Sequence, residues 1–430
     1  MSRCAATFLG PLAIATPMLR IEADVLIPGR GDPIQNGALV VDGPTIAYAG
    51  PIEGAPSAAG ATVLNVPALM PGMWDVHGHF MGIRTLNVEE IARMPLAVLA
   101  ARATKDAEVA VAAGFTSIRE LSGLGVHLAR VVAEGTLRGP RIYGAGGALS
   151  QTGGHGDLHS FPLDFIHDVL RRTGFSYLCD GVPECLKGVR MQLRVGASVI
   201  KVLASGGVAS ELDHPVHAQF SREELEAIVA EAARADRVVA AHCHGKPGIM
   251  AALRAGCRTI EHGTFLDEEA ADLMRERDAI LVPTRFIIDR LVRVGKEAGI
   301  AEYAYRKAVA INEQHQKALR IAVRKGVRMA TGSDIFTSAG GPAGWGLNGH
   351  EVGHLVEAGM KPVHAIEAAT ATGPLTIGAQ APKSGQLKAG YDADFLVLAK
   401  SPLDRIGILA EPENIRKVWI SGERVKDLPL

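Results

Sequence analysis

The chain has 430 residues, of which 47% are apolar, and a formal net charge of −1 at pH 7. This composition excludes a disordered chain, and the near-zero charge excludes general attraction to nucleic acid or to an anionic membrane. Five cysteines, at positions 4, 179, 185, 243 and 257, have no regular spacing. Their pattern argues against a disulfide framework and favours a reducing compartment.

The first residues carry a faint resemblance to an export signal. Residues 4–19 are apolar and follow Arg3, but Pro11 and Pro17 interrupt the run and no clear cleavage site follows. No other uninterrupted apolar run is long enough to span a bilayer. We therefore expect a cytoplasmic protein, with export as the lesser alternative.

The chain divides into three segments that differ in their pattern of apolar and polar residues. Residues 20–68 contain short strand-like runs separated by Gly and Pro, and residues 381–430 alternate polar and apolar positions in the same way. Between them, residues 69–380 alternate apolar strand-like runs with amphipathic helical segments. The pattern predicts a central domain over 69–380 and one small β-sandwich domain built from 1–68 and 381–430.

The central segment is an α/β region with eight strand candidates. They lie at 68–77, 116–121, 141–147, 198–205, 238–244, 259–264, 279–285 and 328–335. Helical segments separate most of them; the one at 221–235 opens with Ser221 three residues before Glu224, the spacing of a capping box. Eight such units predict a (β/α)₈ TIM barrel, with a doubly wound open sheet as the competing arrangement. The stretch 148–183 is predicted to be a long irregular insertion.

Lys201 lies in SVIKVLASGG, among branched apolar residues typical of a strand buried on both faces. An unpaired ammonium in such a place loses several kcal/mol of hydration. Either Lys201 reaches water or a carboxylate at the strand end, or it is not an ordinary ammonium.

Further polar residues lie where the predicted strands end. They are His77 and His79 in DVHGHF, His242 in AAHCHG, His262 in IEHGT and Asp334 in TGSDIF. Each alone is more often a structural residue, but together they form the natural ligand set of zinc or a similar divalent metal. Five ligands exceed what one catalytic zinc normally takes, whereas two ions about 3.5–4 Å apart would use them all if an anion bridged them. A neutral Lys201 can supply that anion by adding carbon dioxide to become N6-carboxylysine.

The ordered set of these six residues resembles the amidohydrolase superfamily. More narrowly, it resembles the binuclear, carboxylated-lysine members of the imidazolonepropionase-like and Xaa-Pro-dipeptidase-like type, which include ochratoxin-hydrolysing amidases. The resemblance implies that His77, His79 and Asp334 hold one metal, that His242 and His262 hold the other, and that carboxylated Lys201 and a hydroxide bridge both. It also implies that the hydroxide attacks a carbonyl carbon while Asp334 shuttles the proton to the leaving amine. Similar enzymes are homo-oligomers and often octamers.

Four residues outside this set are candidates for substrate contact. In similar proteins the His of the GGHGD motif faces the substrate, so His155 is predicted to polarise a carbonyl or bind a carboxylate, unless it only orders its loop. Arg285 at the end of the seventh strand can pair with a substrate carboxylate or with a rim residue. His214 belongs to a loop or lid, and His244 stands where related dipeptidases often have Tyr.

The sequence thus predicts a metal-dependent hydrolase of an amide bond in a small molecule. The substrate classes are an N-acyl amino acid, a dipeptide or an ochratoxin-like aryl amide. The alternatives are hydrolysis of a cyclic amide or imidazolone, or of a urea or carbamate. A non-catalytic binding module is disfavoured, since a complete buried ligand set is costly without metal.

Overall fold

A computed structural model describes residues 18–57 and 62–430. The predicted export segment therefore lies almost entirely outside the described residues. Within them, no helix combines the length and the apolar character needed to cross a membrane.

The strands of the described residues are numbered in chain order. They are β1 (Leu19–Leu26), β2 (Ile34–Asp42), β3 (Thr45–Pro51), β4 (Thr62–Pro71), β5 (Met73–Ile83), β6 (Phe115–Glu120), β7 (Arg141–Gly144), β8 (Ala148–Ser150), β9 (Ser176–Leu178), β10 (Ile200–Leu203), β11 (Val239–Cys243), β12 (Thr259–His262), β13 (Ile280–Val282), β14 (Ile335–Thr337), β15 (Phe395–Leu398), β16 (Ile415–Ile420) and β17 (Glu423–Asp427).

The α-helices are numbered in the same way. They are α1 (Glu90–Arg93), α2 (Leu96–Ala112), α3 (Gly125–Ala133), α4 (Leu163–Thr173), α5 (Gly181–Val195), α6 (Arg222–Ala233), α7 (Lys246–Ala255), α8 (Glu268–Glu276), α9 (Arg285–Val294), α10 (Glu302–Lys325), α11 (His350–Glu357) and α12 (Pro362–Ala368). The predicted capping box is present, since the Ser221 side chain accepts from the Glu224 N–H and the Glu224 side chain accepts from the Ser221 N–H.

Both ends of the chain contribute to one seven-stranded sheet with the order β17-β16-β15-β4-β1-β2-β3. Its side chains alternate between two cores, as the period of a strand requires. On β15, Phe395 and Val397 face a smaller, separate hydrophobic core on one side of this sheet, while Leu396 and Leu398 belong to the large central core. The predicted association of the two chain ends is present, but the predicted β-sandwich is not confirmed.

The central region is α/β with parallel strands in two sheets, β13-β12-β11-β10-β8-β9 and β14-β5-β6-β7. Backbone hydrogen bonds also connect these sheets, directly or through the segment before β14. Ser198 N donates to Gly144 O at 2.8 Å on one side. On the other side, Leu281 N donates to Arg328 O at 2.9 Å and Val76 N donates to Thr331 O at 2.9 Å.

Three details differ from the sequence-based prediction. The run 68–77 is divided between β4 and β5, because Gly72 interrupts the strand. The supposedly irregular insertion 148–183 contains β8, α4 and β9. The eighth strand is short: in the run 328–335 only Ile335 belongs to a strand, and Met329 forms an isolated bridge to Leu281. Strands β8, β9 and β14 have three residues each, so alternation of polarity could not reveal them.

Candidate active site

A cavity of about 950 Å³, open to solvent, lies at the carboxyl ends of the parallel strands. Ligand sites of parallel α/β folds are found at this end of the strands. Eight of the residues predicted from sequence line it: His77, His79, His155, Lys201, His242, His244, His262 and Asp334.

His77, His79 and Asp334 form a first group of ligand atoms. His77 and His79 project to the same side of β5, which is buried along its whole length. His79 Nε2 lies 3.0 Å from Asp334 Oδ1, and His77 Nε2 lies 3.4 Å from the same oxygen. Both imidazoles therefore converge on one carboxylate oxygen.

Hydrogen bonds on the far side of each ring decide which nitrogen carries the proton. His77 Nδ1 donates to Glu261 Oε2 at 2.8 Å, and His79 Nδ1 donates to the carbonyl oxygen of Ser122 at 3.0 Å. In the neutral rings, both Nε2 atoms are then acceptors, as is the carboxylate of Asp334. Three converging acceptors lack a proton to share, and a cation satisfies them. The residues present fit a divalent metal.

Glu261 and Arg119 form a buried ion pair behind His77. Arg119 Nη2 donates to both oxygens of Glu261, at 2.8 and 3.0 Å, and both side chains are fully buried. Burial opposes ionisation of Glu261, but the charge of Arg119 and the hydrogen bond from His77 hold its pKa at about 2. This permanent carboxylate fixes the orientation of the His77 ring.

Asp75 joins β5 to the segment that carries Asp334. Its carboxylate accepts from the backbone N–H groups of His77 at 3.1 Å and Ser333 at 3.0 Å, and from Asn348 Nδ2 at 2.6 Å. The two sides of the first group are therefore fixed to each other by one buried side chain.

His242, His244 and His262 form a second group of ligand atoms. Their ring centroids are 4.5–4.8 Å apart. His242 Nε2 donates to Gly206 O at 3.2 Å, which leaves Nδ1 as the acceptor. Burial, reinforced by neighbouring rings, lowers the pKa of His242 and His262 well below the ordinary value, and that of His244 to about 3. Neutral imidazoles are the form that binds metals.

The two groups adjoin each other. The rings of His77 and His262 are 5.1 Å apart between centroids, and His262 Nδ1 lies 3.9 Å from Asp334 Oδ2. Lys201 Nζ lies 3.4 Å from His77 Nε2. Burial lowers the pKa of Lys201 to about 8, although Glu261 and Asp334 oppose the shift.

Backbone strain is present at this site. His262, Thr284 and Asp334 have φ values of 70°, 51° and 57°, in the left-handed region that non-glycine residues rarely adopt. Thr284 Oγ1 lies 2.7 Å from His262 Nδ1 and thus contacts one of the ligand rings. Strain that surrounding structure maintains is typical of functional positions.

The sequence matches the family model described as "Amidohydrolase family" over residues 68–425. The chain belongs to the amidohydrolase family. This amidohydrolase is 42% identical over 436 residues to the ochratoxinase of Aspergillus niger, covering 97% of this chain and 89% of that protein.

Solved structures agree with this assignment. The crystal structure of A. niger ochratoxinase superposes with a TM-score of 0.90 at 40% identity, covering 96% of each chain. The crystal structure of a prolidase complexed with N-methylphosphonate-L-proline superposes with a TM-score of 0.88 at 31% identity, covering 95% of this chain and all of that chain.

Two predicted substrate contacts are not brought to the cavity of the amidohydrolase. Arg285 is buried, but its Nη2 donates to Asn312 Oδ1 at 2.6 Å in a separate pocket beside α9 and α10. His214 is exposed, and its Nδ1 accepts from Val216 N at 3.3 Å. The geometry does not support substrate contact for either side chain. The Arg285 side chain points away from the cavity toward Asn312, and His214 lies on a surface loop.

Sequence reasoning missed the residues that orient the candidate metal-binding side chains of the amidohydrolase, namely Glu261, Arg119 and Asp75. A signal for two of them was present. Arg119 in TSIREL and Glu261 in TIEHGT are charged residues in strands predicted to be buried, the same anomaly that Lys201 presents. Opposite charges in two buried strands indicate a buried pair.

Proposed function

We propose that this protein is a binuclear, metal-dependent hydrolase of amide C–N bonds in small molecules. The observation that carries the proposal is the meeting of two sets of buried acceptors, His77, His79 and Asp334 with His242 and His262, beneath one cavity. Membership of the amidohydrolase family and the similarity to a protein called ochratoxinase support it.

Two divalent ions would be held by the two groups. His77, His79 and Asp334 would hold one, and His242 and His262 the other, with His244 as a neighbouring donor. Imidazole and carboxylate ligands favour zinc. Such a pair of ions, when bound, polarises a carbonyl group and makes water nucleophilic at neutral pH.

Lys201 would serve as N6-carboxylysine. The ammonium first loses one proton; the neutral amine nitrogen then bonds to the carbon of carbon dioxide and releases a second proton, so that a cation is replaced by a carboxylate. Its burial and its lowered pKa, about 8, favour the neutral amine that this reaction requires. An ammonium 3.4 Å from His77 Nε2 would instead repel a metal at that nitrogen.

Asp334 would move the proton. Its Oδ1 faces His77 and His79, and its Oδ2 faces His262, so the carboxylate stands between the two groups. From this position it can take a proton from the attacking water and return it to the departing amine nitrogen.

The remaining walls of the cavity indicate an apolar substrate. They are formed by aliphatic and aromatic side chains, among them Met81, Leu158, Phe175, Ile288 and Phe336. Each CH₂ group that a substrate buries there contributes about 0.8 kcal/mol. This lining supports an N-acyl amino acid, a dipeptide or an ochratoxin-like aryl amide with a bulky apolar group.

The decisive experiment combines metal analysis with a substrate panel. Protein purified without chelator is expected to hold about two zinc equivalents per chain and to hydrolyse N-acyl amino acids and aryl amides. Cyclic imides, ureas and carbamates form the comparison arm. Substantially less than one equivalent, or turnover confined to the comparison arm, would refute the proposal.

Lys201→Ala tests the carbamate. We expect loss of bound metal and of turnover, and we expect reconstitution of the metal-free wild type with zinc to improve when bicarbonate is added. Lys317→Ala is the control, because Lys317 is exposed and, within residues 18–57 and 62–430, forms an ion pair with Glu313 alone. A Lys201→Ala protein with full turnover would exclude the bridging role.

Other features stay predictions. The parallel strands, and the backbone hydrogen bonds that connect their two sheets, support a (β/α)₈ barrel. The domain boundaries after residues 68 and 380, the homo-oligomer, the cytoplasmic location and the lack of nucleic-acid or membrane partners also remain to be measured.

A further inference from the structure

The loop over 206–213, here called the roof loop, follows β10 and borders the active-site cavity. Its Gly206 carbonyl accepts from His242 Nε2 at 3.2 Å, and its Val208 and Ala209 line the cavity. Gly207 lies so close to His155 that a Cβ atom there would be 2.0 Å from His155 Cε1. The loop therefore contacts both a proposed ligand and a proposed substrate-binding residue.

Lys307 of α10 anchors the roof loop. Its ammonium donates to the carbonyl oxygens of Gly207 at 3.2 Å, Ser210 at 2.7 Å and Asp213 at 2.6 Å, and contacts Asp213 Oδ1 at 3.2 Å. Four acceptors around one ammonium hold the loop in a single conformation.

Asp213 is an ionised acceptor within this loop. Besides Lys307, it accepts from the Gly207 N–H at 2.9 Å, from Gln219 Nε2 at 3.3 Å and from the Ser210 hydroxyl. A carboxylate with these four donors has no proton of its own to give. The hydroxyl group of Ser210 therefore donates its hydrogen to Asp213.

This hydrogen bond from Ser210 to Asp213 determines the tautomer of His155. Ser210 Oγ lies 2.7 Å from His155 Nδ1 and, having donated to Asp213, can only accept. His155 Nδ1 must then carry a hydrogen. In the neutral ring Nε2 is an acceptor, and among the described residues it has no hydrogen-bond partner.

We propose that Ser210 and Asp213, held by Lys307, are positioning residues that fix His155 as the Nδ1–H tautomer and present its Nε2 to the substrate as an acceptor. The proposal rests on the proposed amide hydrolysis for its kinetic consequences. It changes the predicted role of His155: an acceptor binds an N–H or O–H group of the substrate, such as the N–H of a secondary amide, and does not polarise a carbonyl.

The tautomer is tested first, because this measurement needs no catalytic turnover. Protein labelled with ¹⁵N-histidine is studied by multiple-bond ¹H–¹⁵N correlation, with the His155 signals assigned from the loss caused by His155→Ala. We expect a protonated Nδ1 and an unprotonated Nε2 in the wild type, and a gain of the Nε2–H form in Ser210→Ala. A wild-type Nε2–H tautomer would overturn the proposal whether or not the protein hydrolyses amides.

Kinetics then test whether Ser210 acts through His155. On the best amide substrate, Ser210→Ala is expected to lower kcat/KM about tenfold, the effect of losing one hydrogen bond. In the His155→Ala background the same change should have less than about a twofold effect. Equal effects in both backgrounds would refute action through His155.

Tyr303→Phe provides the matched control. It removes the Tyr303 hydroxyl, which donates to Ala209 O of the roof loop at 3.4 Å, and leaves the contacts of Ser210, Asp213 and His155 intact. We expect its His155 tautomer, metal content and kcat/KM to match the wild type. If Tyr303→Phe reproduced the Ser210→Ala phenotype, loosening of the loop would explain both and the proposal would fail.

Discussion

Replacing Glu261 by glutamine is the sharpest test of how the first group of ligands is held. The carboxylate of Glu261 accepts from Arg119 at 2.8 and 3.0 Å and from His77 Nδ1 at 2.8 Å, and it is fully buried. An amide of the same shape keeps one acceptor oxygen and turns a donor toward one of the two partners. Because Arg119 contacts both oxygens, either orientation of the amide introduced by Glu261→Gln turns an N–H donor toward Arg119.

Two effects follow, with different magnitudes. Arg119 is left buried beside a neutral group, and breaking a buried ion pair costs about 3–5 kcal/mol. His77 exchanges its charged acceptor for at most a neutral amide oxygen, and mutation of such a partner weakens metal binding about 10–100-fold. The second figure corresponds to about 1.4–2.8 kcal/mol of binding free energy.

The two effects are measured separately. Urea unfolding of the metal-free proteins reports the stability change, and competition with a chelator reports zinc affinity. Glu231→Gln is the control, because Glu231 pairs with Arg190 at the same 2.8 Å but at the surface, where Arg190 is 59% exposed. We expect its unfolding midpoint and zinc affinity to match the wild type.

Each outcome has a distinct meaning. If Glu261→Gln unfolded at the wild-type urea concentration, the ion pair with Arg119 would not stabilise the fold. If it lost stability but bound zinc normally, the orientation of His77 by Glu261 would be disproved.

Three further changes test neighbouring contacts. Gly78→Ala would place a Cβ atom 2.7 Å from Cη2 of Trp345, so calorimetry should show a lower melting temperature and metal analysis a lower zinc content. Gly207→Ala would displace His155, so kcat/KM on the best amide should fall roughly 10–100-fold with zinc content unchanged. The depressed pKa of Glu261, about 2 against an ordinary 4.5, contributes stability above pH 4.5 that is lost as the pH falls toward 2. Urea midpoints across that range should fall in the wild type and show a smaller fall in Glu261→Gln.

Gly353→Ala is the control for both glycine variants. Gly353 lies within α11, and a Cβ atom there would meet nothing within 4 Å. We expect unchanged kcat/KM and zinc content. Normal zinc binding and stability in Gly78→Ala would contradict the close packing of Trp345, and normal kcat/KM in Gly207→Ala would contradict the importance of the His155 position.

The sequence alone predicted the parts of this protein that repeat a local pattern. Strands such as β11, β13 and β15 are short, largely apolar runs, and the capping box at Ser221 depends on residues three apart. Most of the residues that meet in the cavity could be proposed because they lie in or beside a predicted strand near its end, and parallel strands end at a common face. The family prediction is confirmed by the family match and the similarity to ochratoxinase.

The remaining features depend on contacts between distant residues. His77 and Glu261 are 184 residues apart, and His155 and Ser210 are 55 residues apart, so no local pattern fixes their hydrogen bonds. Arg285 follows a strand as the other site residues do, yet its side chain turns toward Asn312 of α10. Strand position indicates which residues approach the site, but the direction of each side chain depends on its tertiary partners.

The seven-stranded sheet also has a consequence for the order of folding. Strand β4 pairs with β1 on one side and with β15 on the other, and about 320 residues separate β4 from β15 along the chain. At ordinary rates of synthesis, roughly 20–60 s pass between the two strands. During that time one edge of β4 is unpaired, and open edges promote association between chains. Because β5 begins two residues after β4 ends, the strand that carries His77 and His79 directly follows a strand whose pairing is completed only when β15 is made.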